Sequence, residues 1–428
     1  MARPLFIQIH TLTSYPGALL NRDDVGFAKR LPFGGATRTR ISSQCLKRHW
    51  RTFEGDHALS TLSSGGGEIE RSVRSRHTFE QRVVAPLLQE GVSPELARAA
   101  TEAIMVAVLG ESAKAKKAKE DAKKEGDEAT SSKSKKKPAK KEGDEGAPAA
   151  LMTGQITVLG KPEIDFFLAE ARALAKEAGS ADKMEDAKKK RFTKDWGKNL
   201  NGLRRAAGLD AALFGRMVTS DKLARADAAV HVAHAFTVHS EHSETDYFAA
   251  IDDLLGGRED DTQLGSGHIG NTELTSGLYY GYVVVDVAQL VSNLEGCDPK
   301  EWTTADRRLA ADVAAALVQI VARVSPGAKK GSTAPYAYSH LTLVEVGSAQ
   351  PCTLANSFLK PVSPGADLLA NAYDALVRYA TDIDEVYAPN NRRGVAAIGP
   401  KERLAALAAP TSLDAVAKLA AAAILEHR

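Results

Sequence analysis

Between Gly110 and Leu151 the chain carries no large apolar side chain. Residues 111–150, which run through AKAKKAKEDAKKEGDEATSSKSKKKPAKKEGDEGAPAA, hold 12 lysines against 9 acids. Such a tract has nothing to bury, and burial is what offsets the entropy of ordering a chain. It is expected to be disordered or at most a solvated helix. Its lysine clusters suit either a plain solvated insertion or loose contact with nucleic acid. The core must therefore be built from the segments on either side. The whole chain sums to +2 while this tract alone carries +3, so the remainder is −1. Any polyanion site has to be a local patch and not a property of the whole surface.

The flanking segments have ordinary globular composition, 43% hydrophobic and 26% charged over 428 residues, enough for more than one structural lobe. No apolar run approaches a membrane span, and MARPLFIQIHTL lacks a signal-peptide layout. Cys45, Cys297 and Cys352 lie far apart without metal or redox spacing, which fits a reducing cytoplasm. Alternation predicts strands over Leu5–Leu12, Tyr279–Leu290 and Ser339–Val346. Helical spacing predicts Arg71–Leu88, Pro94–Leu109, Glu163–Glu177, a stretch around Leu200–Leu209, Asp306–Val324 and several Ala-rich helices in the C-terminal third. A few strands among helices, without regular βαβ alternation, indicate an α+β fold.

The stretch most able to hold a polyanion is Asn21–Arg51. From Arg22 onward it carries eight cations (Arg22, Lys29, Arg30, Arg38, Arg40, Lys47, Arg48 and Arg51) against Asp23 and Asp24. In TRTRIS the alternation suggests a short strand with Arg38 and Arg40 on one face. Ser42 or Ser43 would then N-cap a helix through Gln44–Arg51, on which Lys47 and Arg51 share a face and Arg48 flanks them. Gly34 and Gly35 allow close backbone approach. Helix-terminal amides, Ser hydroxyls, a Gln amide and clustered cations suit a phosphate backbone. A solvated basic surface helix fits the same pattern.

Four other constellations bear on chemistry. Residues 265–270, GSGHIG, match GxGxxG, but no strand leads into them and no helix follows, so a flexible loop between strands is expected in place of a dinucleotide site. His231, His234, His239 and His242 are spaced for an extended ribbon, with His234 and His242 on one strand face, and not for a zinc site. Tyr247 and Phe248 beyond them suit base stacking or a core. Asp23 and Asp24 suit either metal-assisted RNA cleavage or pairing with nearby arginines. SPGAKKGST, with Lys329 and Lys330, lacks the GK[ST] ending of a Walker A loop yet suits phosphate contact.

In order along the chain stand LNRDD (20–24), FGG followed by RISSQ-LKR (33–48), GRM-TS (215–220), HVAHAFTVHS with DYFAAIDDL (231–254), GSGHIG–TELTSGLYY (265–280), PGAK (326–329) and LANSF (354–358). By these blocks the chain resembles the CasC family, the repeated backbone subunit of the type I-E CRISPR Cascade complex. The tract 111–150 departs from the family as an insertion. Ala36 and Thr37 stand where further basic residues are common.

The resemblance implies a hand-like fold: an RRM-like palm, a helical fingers lobe and a thumb β-hairpin. The palm would take 1–60 and 200–428, the fingers 61–199 and the thumb 230–279. Arg22, Lys29, Gln44, Lys47, Arg51 and Lys329 would hold guide phosphates, alongside Arg38, Arg40, Ser42 and Arg48 of the same stretch and Arg216 of the GRM block. Met217 would wedge at a kink, and His234, Tyr247, Phe248 and Ile269 would belong to the thumb. The implied partners are the guide crRNA, complementary target DNA and further copies head-to-tail. Also implied are the Cascade large and small subunits, the subunit capping the guide 5′ end and the crRNA-processing endonuclease. No catalytic residue, cofactor, metal or membrane contact is implied. The alternative is a metal-dependent RNA endonuclease of a related effector, using Asp23 and Asp24.

Overall fold

The computed structural model describes residues 4–64, 67–68, 72–110, 151–192, 208–216, 227–251, 266–365 and 367–427. The 111–150 tract, Met217 and most of the helix expected around 200–209 lie outside them. The chain divides into two compact units, Met1–Glu68 with Ala229–Arg428, and Ile69–Ala228.

The first unit is built on a ten-stranded sheet. Its strands are β1 (Phe6–Ala18), β2 (Arg30–Phe33), β3 (Ala36–Ile41), β4 (Val230–Val232), β5 (Ala235–Thr237), β6 (Ser243–Ile251), β7 (Ser266–Asp286), β8 (Leu341–Gly347), β9 (Arg392–Ala397) and β10 (Pro410–Thr411). They run in the order β10-β9-β8-β1-β7-β5-β3-β2, with β4 and β6 also pairing with β7. Every pairing is antiparallel except β9 with β10. The fold is thus mixed, with a large, mostly antiparallel sheet.

β1 is central and buried on both sides, so its alternation is of kind and not of exposure. Leu12 lies opposite Tyr280 on β7 and Leu341 on β8. On that face these residues, with Leu343 and Val395, pack under Tyr373, Leu376 and Ala380 of helix Leu368–Tyr387. Each fully buried side chain of this size contributes about 1.5–3 kcal/mol. The other face, with Ile9, Val344 and Gly394, is covered by the paired helices Arg308–Arg323 and Leu413–Glu426. A Cβ on Gly394 would meet Leu419 Cδ2 at 2.8 Å, so helix Leu413–Glu426 packs closely on the strand there. His10 is buried among apolar neighbours but not unsatisfied. Its ring bonds Tyr280 Oη at 2.9 Å and Glu345 at 3.1 Å, and Arg393 carries the chain from Glu345 to Asp384.

Two expected elements change here. The strand expected over Tyr279–Leu290 stops at Asp286, whose carboxylate accepts from Gln289 N–H at 3.1 Å and caps helix Val287–Glu295. The β-branched run VVVDV looks uninterrupted, but an Asp at a cap position redirects it. The GSGHIG motif is not a loop: Ser266–Gly270 belong to β7, a 21-residue strand, with Gly270 opposite Phe248. It lies inside a β-ladder and opens no helix, so it is no phosphate turn.

The second unit is a helical lobe. Helices Pro94–Leu109 and Lys161–Ala178 pack through Ile104, Val108, Phe167 and Leu174, with Phe79 stacked on Phe167 at 5.9 Å. The single helix expected over Arg71–Leu88 is divided. Val73–Ser75 is a strand paired with Thr157–Leu159, and helical structure begins at Thr78. Asp210 accepts from the Ser72 N–H (2.9 Å) and hydroxyl (2.7 Å), a long-range tie that overrides local helical spacing.

Candidate nucleic-acid interface

The basic stretch folds as expected at its centre: β3 leads into helix α1, Ser43–Arg51. Ser42 is the N-cap, its hydroxyl accepting from Cys45 N–H at 3.3 Å. Leu46 and Trp50, four apart, are the buried stripe that seats α1 on the sheet. Gln44 and Arg48 form an exposed stripe, with Lys47 and Arg51 half-buried beside it. The first turn holds no acid, and Arg48, His49 and Arg51 all lie in the last.

Two further segments bring cations to α1. The segment Asn21–Lys29 folds back on itself, Arg22 bridging Ala28 and Lys29 N–H donating to Asn21 O at 2.9 Å. Asn21 Oδ1 also accepts from Ser42 N–H at 2.9 Å, fixing this segment to the helix start. Electrostatics place the charges. Burial pushes the Cys45 thiol up against the opposing pull of Lys29 and Arg48. Burial, then Arg40 and Lys29, holds His234 below the usual imidazole range. Likewise burial lowers His49, with Lys330 and Arg48 adding to the effect. Lys29, Arg48 and Lys330 thus lie near Cys45 or His49 of α1, and Arg40, whose Nε donates to Arg30 O at 3.1 Å, lies near His234. Lys329 turns the other way, donating to Thr272 Oγ1 at 2.5 Å and standing 5.3 Å over the Phe248 ring.

The hairpin β6–β7 presents the aromatics. Tyr247 is 66% exposed and Phe248 40%. Phe248 lies on Gly270, where a Cβ would sit 2.6 Å from the ring tip. Ile269 is on β7 opposite Ala249.

Three expected contacts belong elsewhere. Arg38 is fully buried, and its guanidinium donates to the carbonyls of Phe33 (3.3 Å), Thr237 (3.0 Å) and Phe358 (2.9 Å). It knits the β2–β3 turn to the sheet and presents nothing to solvent. Arg216 is buried too, held by both carboxylate oxygens of Glu163 (2.7 and 2.8 Å) and by Val158 O. His234 is not on the hairpin. It sits between β4 and β5, and its Nδ1 accepts from Ser43 N–H at 2.9 Å, at the start of α1. Nor do His234 and His242 share a strand, because β5 ends at Thr237. His239 is committed to backbone, donating to Ser240 O (2.6 Å) and accepting from Leu278 N–H (3.2 Å).

Asp23 behaves as a structural hub. One carboxylate oxygen accepts from the N–H groups of Val25 (3.0 Å), Gly26 (2.8 Å) and Phe27 (2.9 Å). Arg30, the remaining cation of the stretch, is paired with Glu241 and Glu273 and so is neutralised. The roles of Asn21, His234 and Glu273 were not legible in advance. Their partners lie 21 or more residues away, and no local signal marks them.

Compared with known proteins, the chain matches the model of the CT1975-like protein family over residues 7–422. Among solved structures it is similar to a chain described as a CRISPR RNA-guided surveillance complex, pre-nicking. That likeness is 27% in identity, covers 98% of this chain and 100% of that one, and has a TM-score of 0.70. A chain of another CRISPR RNA-guided surveillance complex shares the fold at 23% identity, covering 98% and 99% with a TM-score of 0.61. No curated protein matches.

Proposed function

The chain belongs to the CT1975-like protein family, and from that premise we propose that it is a subunit of a CRISPR RNA-guided surveillance complex. Within it the chain acts as the crRNA-binding backbone subunit of a type I-E Cascade. The sheet is an RRM-like palm, the second unit the fingers and β6–β7 the thumb. Copies stack head-to-tail along one guide, an open heterologous assembly set by the RNA's length. The observation that carries this reading is the α1 surface: cations of the β3–α1 element, of the segment 21–29 and of the turn at Lys330 gathered on one helix seated on the sheet.

A backbone subunit has to accept any guide. It therefore contacts phosphates and leaves sequence reading to base pairing with target DNA. Arg22, Lys29, Arg40, Gln44, Lys47, Arg48 and Arg51 suit that task. Lys330 joins them, and Lys329 with Tyr247 and Phe248 braces the thumb against unstacked nucleotides. Arg38 and Arg216 act through the fold. The role is non-catalytic and cytoplasmic. The Asp23 carboxylate, already accepting three amide bonds, is poorly placed to bind a metal for RNA cleavage.

Purification from the native host tests this reading. Short, uniform RNA with a varied central sequence, accompanied by several unequal subunits, is the expected outcome. RNA-free monomer would refute it. Cleavage of complementary RNA with Mg²⁺ that Asp24→Ala abolishes would overturn the non-catalytic role.

A further inference from the structure

The tongue 21–29 carries a feature that phosphate binding does not use. Val25 and Phe27 are 74% and 51% exposed, although the segment around them is tightly ordered. Asp23 N–H donates to Phe27 O at 2.8 Å, and the Asp23 carboxylate gathers three N–H groups of the turn. Gly26, at φ +107°, makes the reversal that few other residues tolerate. The base of the tongue is tied on both sides, by Asn21 to the Ser42 amide and by Ala28 N–H to Glu273 at 2.7 Å. The backbone donors are spent inward and two apolar side chains point outward. A flexible loop could fold such groups under itself; this one cannot.

We propose that the tip of this tongue is a nucleobase wedge, with Phe27 stacking on a base of the RNA strand that lies over α1 and Val25 filling beside it. The inference rests on the RNA-binding reading above. The occupant follows from charge. Arg22 and Lys29 flank the tip and draw a phosphate backbone to its base. The exposed Asp24 repels phosphate from the tip itself, leaving a base face as the complementary surface. Rigid apolar side chains set among cations are how proteins part or support unstacked bases, and aromatic stacking accepts every base alike. That tolerance is what a guide-independent subunit requires.

The test is photocrosslinking of the full-length protein to single-stranded RNA carrying 5-iodouridine at each position in turn. A crosslink to the peptide bearing Phe27 is expected. Phe27→Ser should abolish it, weaken RNA binding roughly tenfold and leave the salt dependence unchanged, while Phe27→Tyr retains both crosslink and affinity. Crosslinks confined to Tyr247 and Phe248, with RNA bound at full salt dependence, overturn the wedge but not the RNA site. Loss of RNA-free self-association in Phe27→Ser, without a crosslink in the parent, also overturns it and makes the tip a contact between copies. Failure to bind RNA at all overturns the RNA reading, and the wedge with it.

Discussion

The Nδ1 of His234 accepts a hydrogen bond from the backbone N–H of Ser43 at 2.9 Å. A protonated ring could not accept it, so the contact requires neutral imidazole. Burial, with Arg40 and Lys29 alongside, supplies that by lowering the ring's affinity for a proton. In the RNA-free protein His234 should titrate below 6.5, as followed by its ring resonances in NMR. Phosphate bound against Arg40 and Lys29 offsets their repulsion and should move the titration upward. By linkage, RNA binding then takes up protons and tightens as pH falls through the interval between the RNA-bound and the lowered RNA-free titration. A titration unmoved by saturating RNA would place the phosphates elsewhere.

Arg38→Ala should act on stability and not on recognition. It strips three carbonyls, two of them in buried bonds, of a charged donor, a loss of about 3 kcal/mol or more. Denaturant unfolding should show that drop, whereas the salt dependence of RNA binding by the remaining folded protein should match the parent. A stable Arg38→Ala variant with a shallower salt slope would mean that the side chain reaches RNA after all.

Stability should fall in acid through Glu345. Burial raises its pKa, but bonds to His10 and Arg393 outweigh this and hold it at about 2 against an ordinary 4.5. The folded value is depressed, so the contribution is complete above 4.5 and is lost as pH falls toward 2. It amounts to about 3 kcal/mol at neutral pH. Unfolding midpoints measured across that window should decline, and decline less in Glu345→Gln. Equal slopes in the two proteins would assign the acid sensitivity to other carboxylates.

Gly34→Ala should be strongly destabilising. Gly34 has φ +62°, and a Cβ there would meet Leu359 O at 1.5 Å, a backbone atom that has no rotamer to yield. Gly35, at φ +76° with open space around it, should cost only its conformational strain, about 1 kcal/mol. Thermal melts of the two alanine variants separate the cases; similar losses would mean that the FGG turn relaxes away from Leu359.

Local chemistry was legible in the sequence, and long-range pairing was not. The Ser42–Ser43 pair announced the cap, which the structure assigns to Ser42, and the four-residue spacing of Lys47 and Arg51 announced their shared face. Both depend only on neighbours along the chain. The alternation that put Arg38 and Arg40 on one strand was also correct as periodicity. It could not say that one side of that strand closes over Phe358, which lies 320 residues away. The same limit misplaced His234, whose partner Ser43 comes from a different strand connection. At Asp286 a β-branched run concealed a helix start, because a cap is a single residue while a strand signal is summed over many. A lone Phe such as Phe27 is ordinarily core, so its spacing carries no signal of exposure. Only the ordering of its turn by Asp23 shows that it is held outside.

The most direct measurement is the salt dependence of single-stranded RNA binding for the parent protein and for Lys47→Ala with Arg51→Ala. If α1 holds the guide by its phosphates, log K should fall linearly with log salt in both proteins, whatever the RNA sequence. The double variant should lose about two phosphate contacts from the slope. An unchanged slope would contradict the α1 surface as the phosphate site.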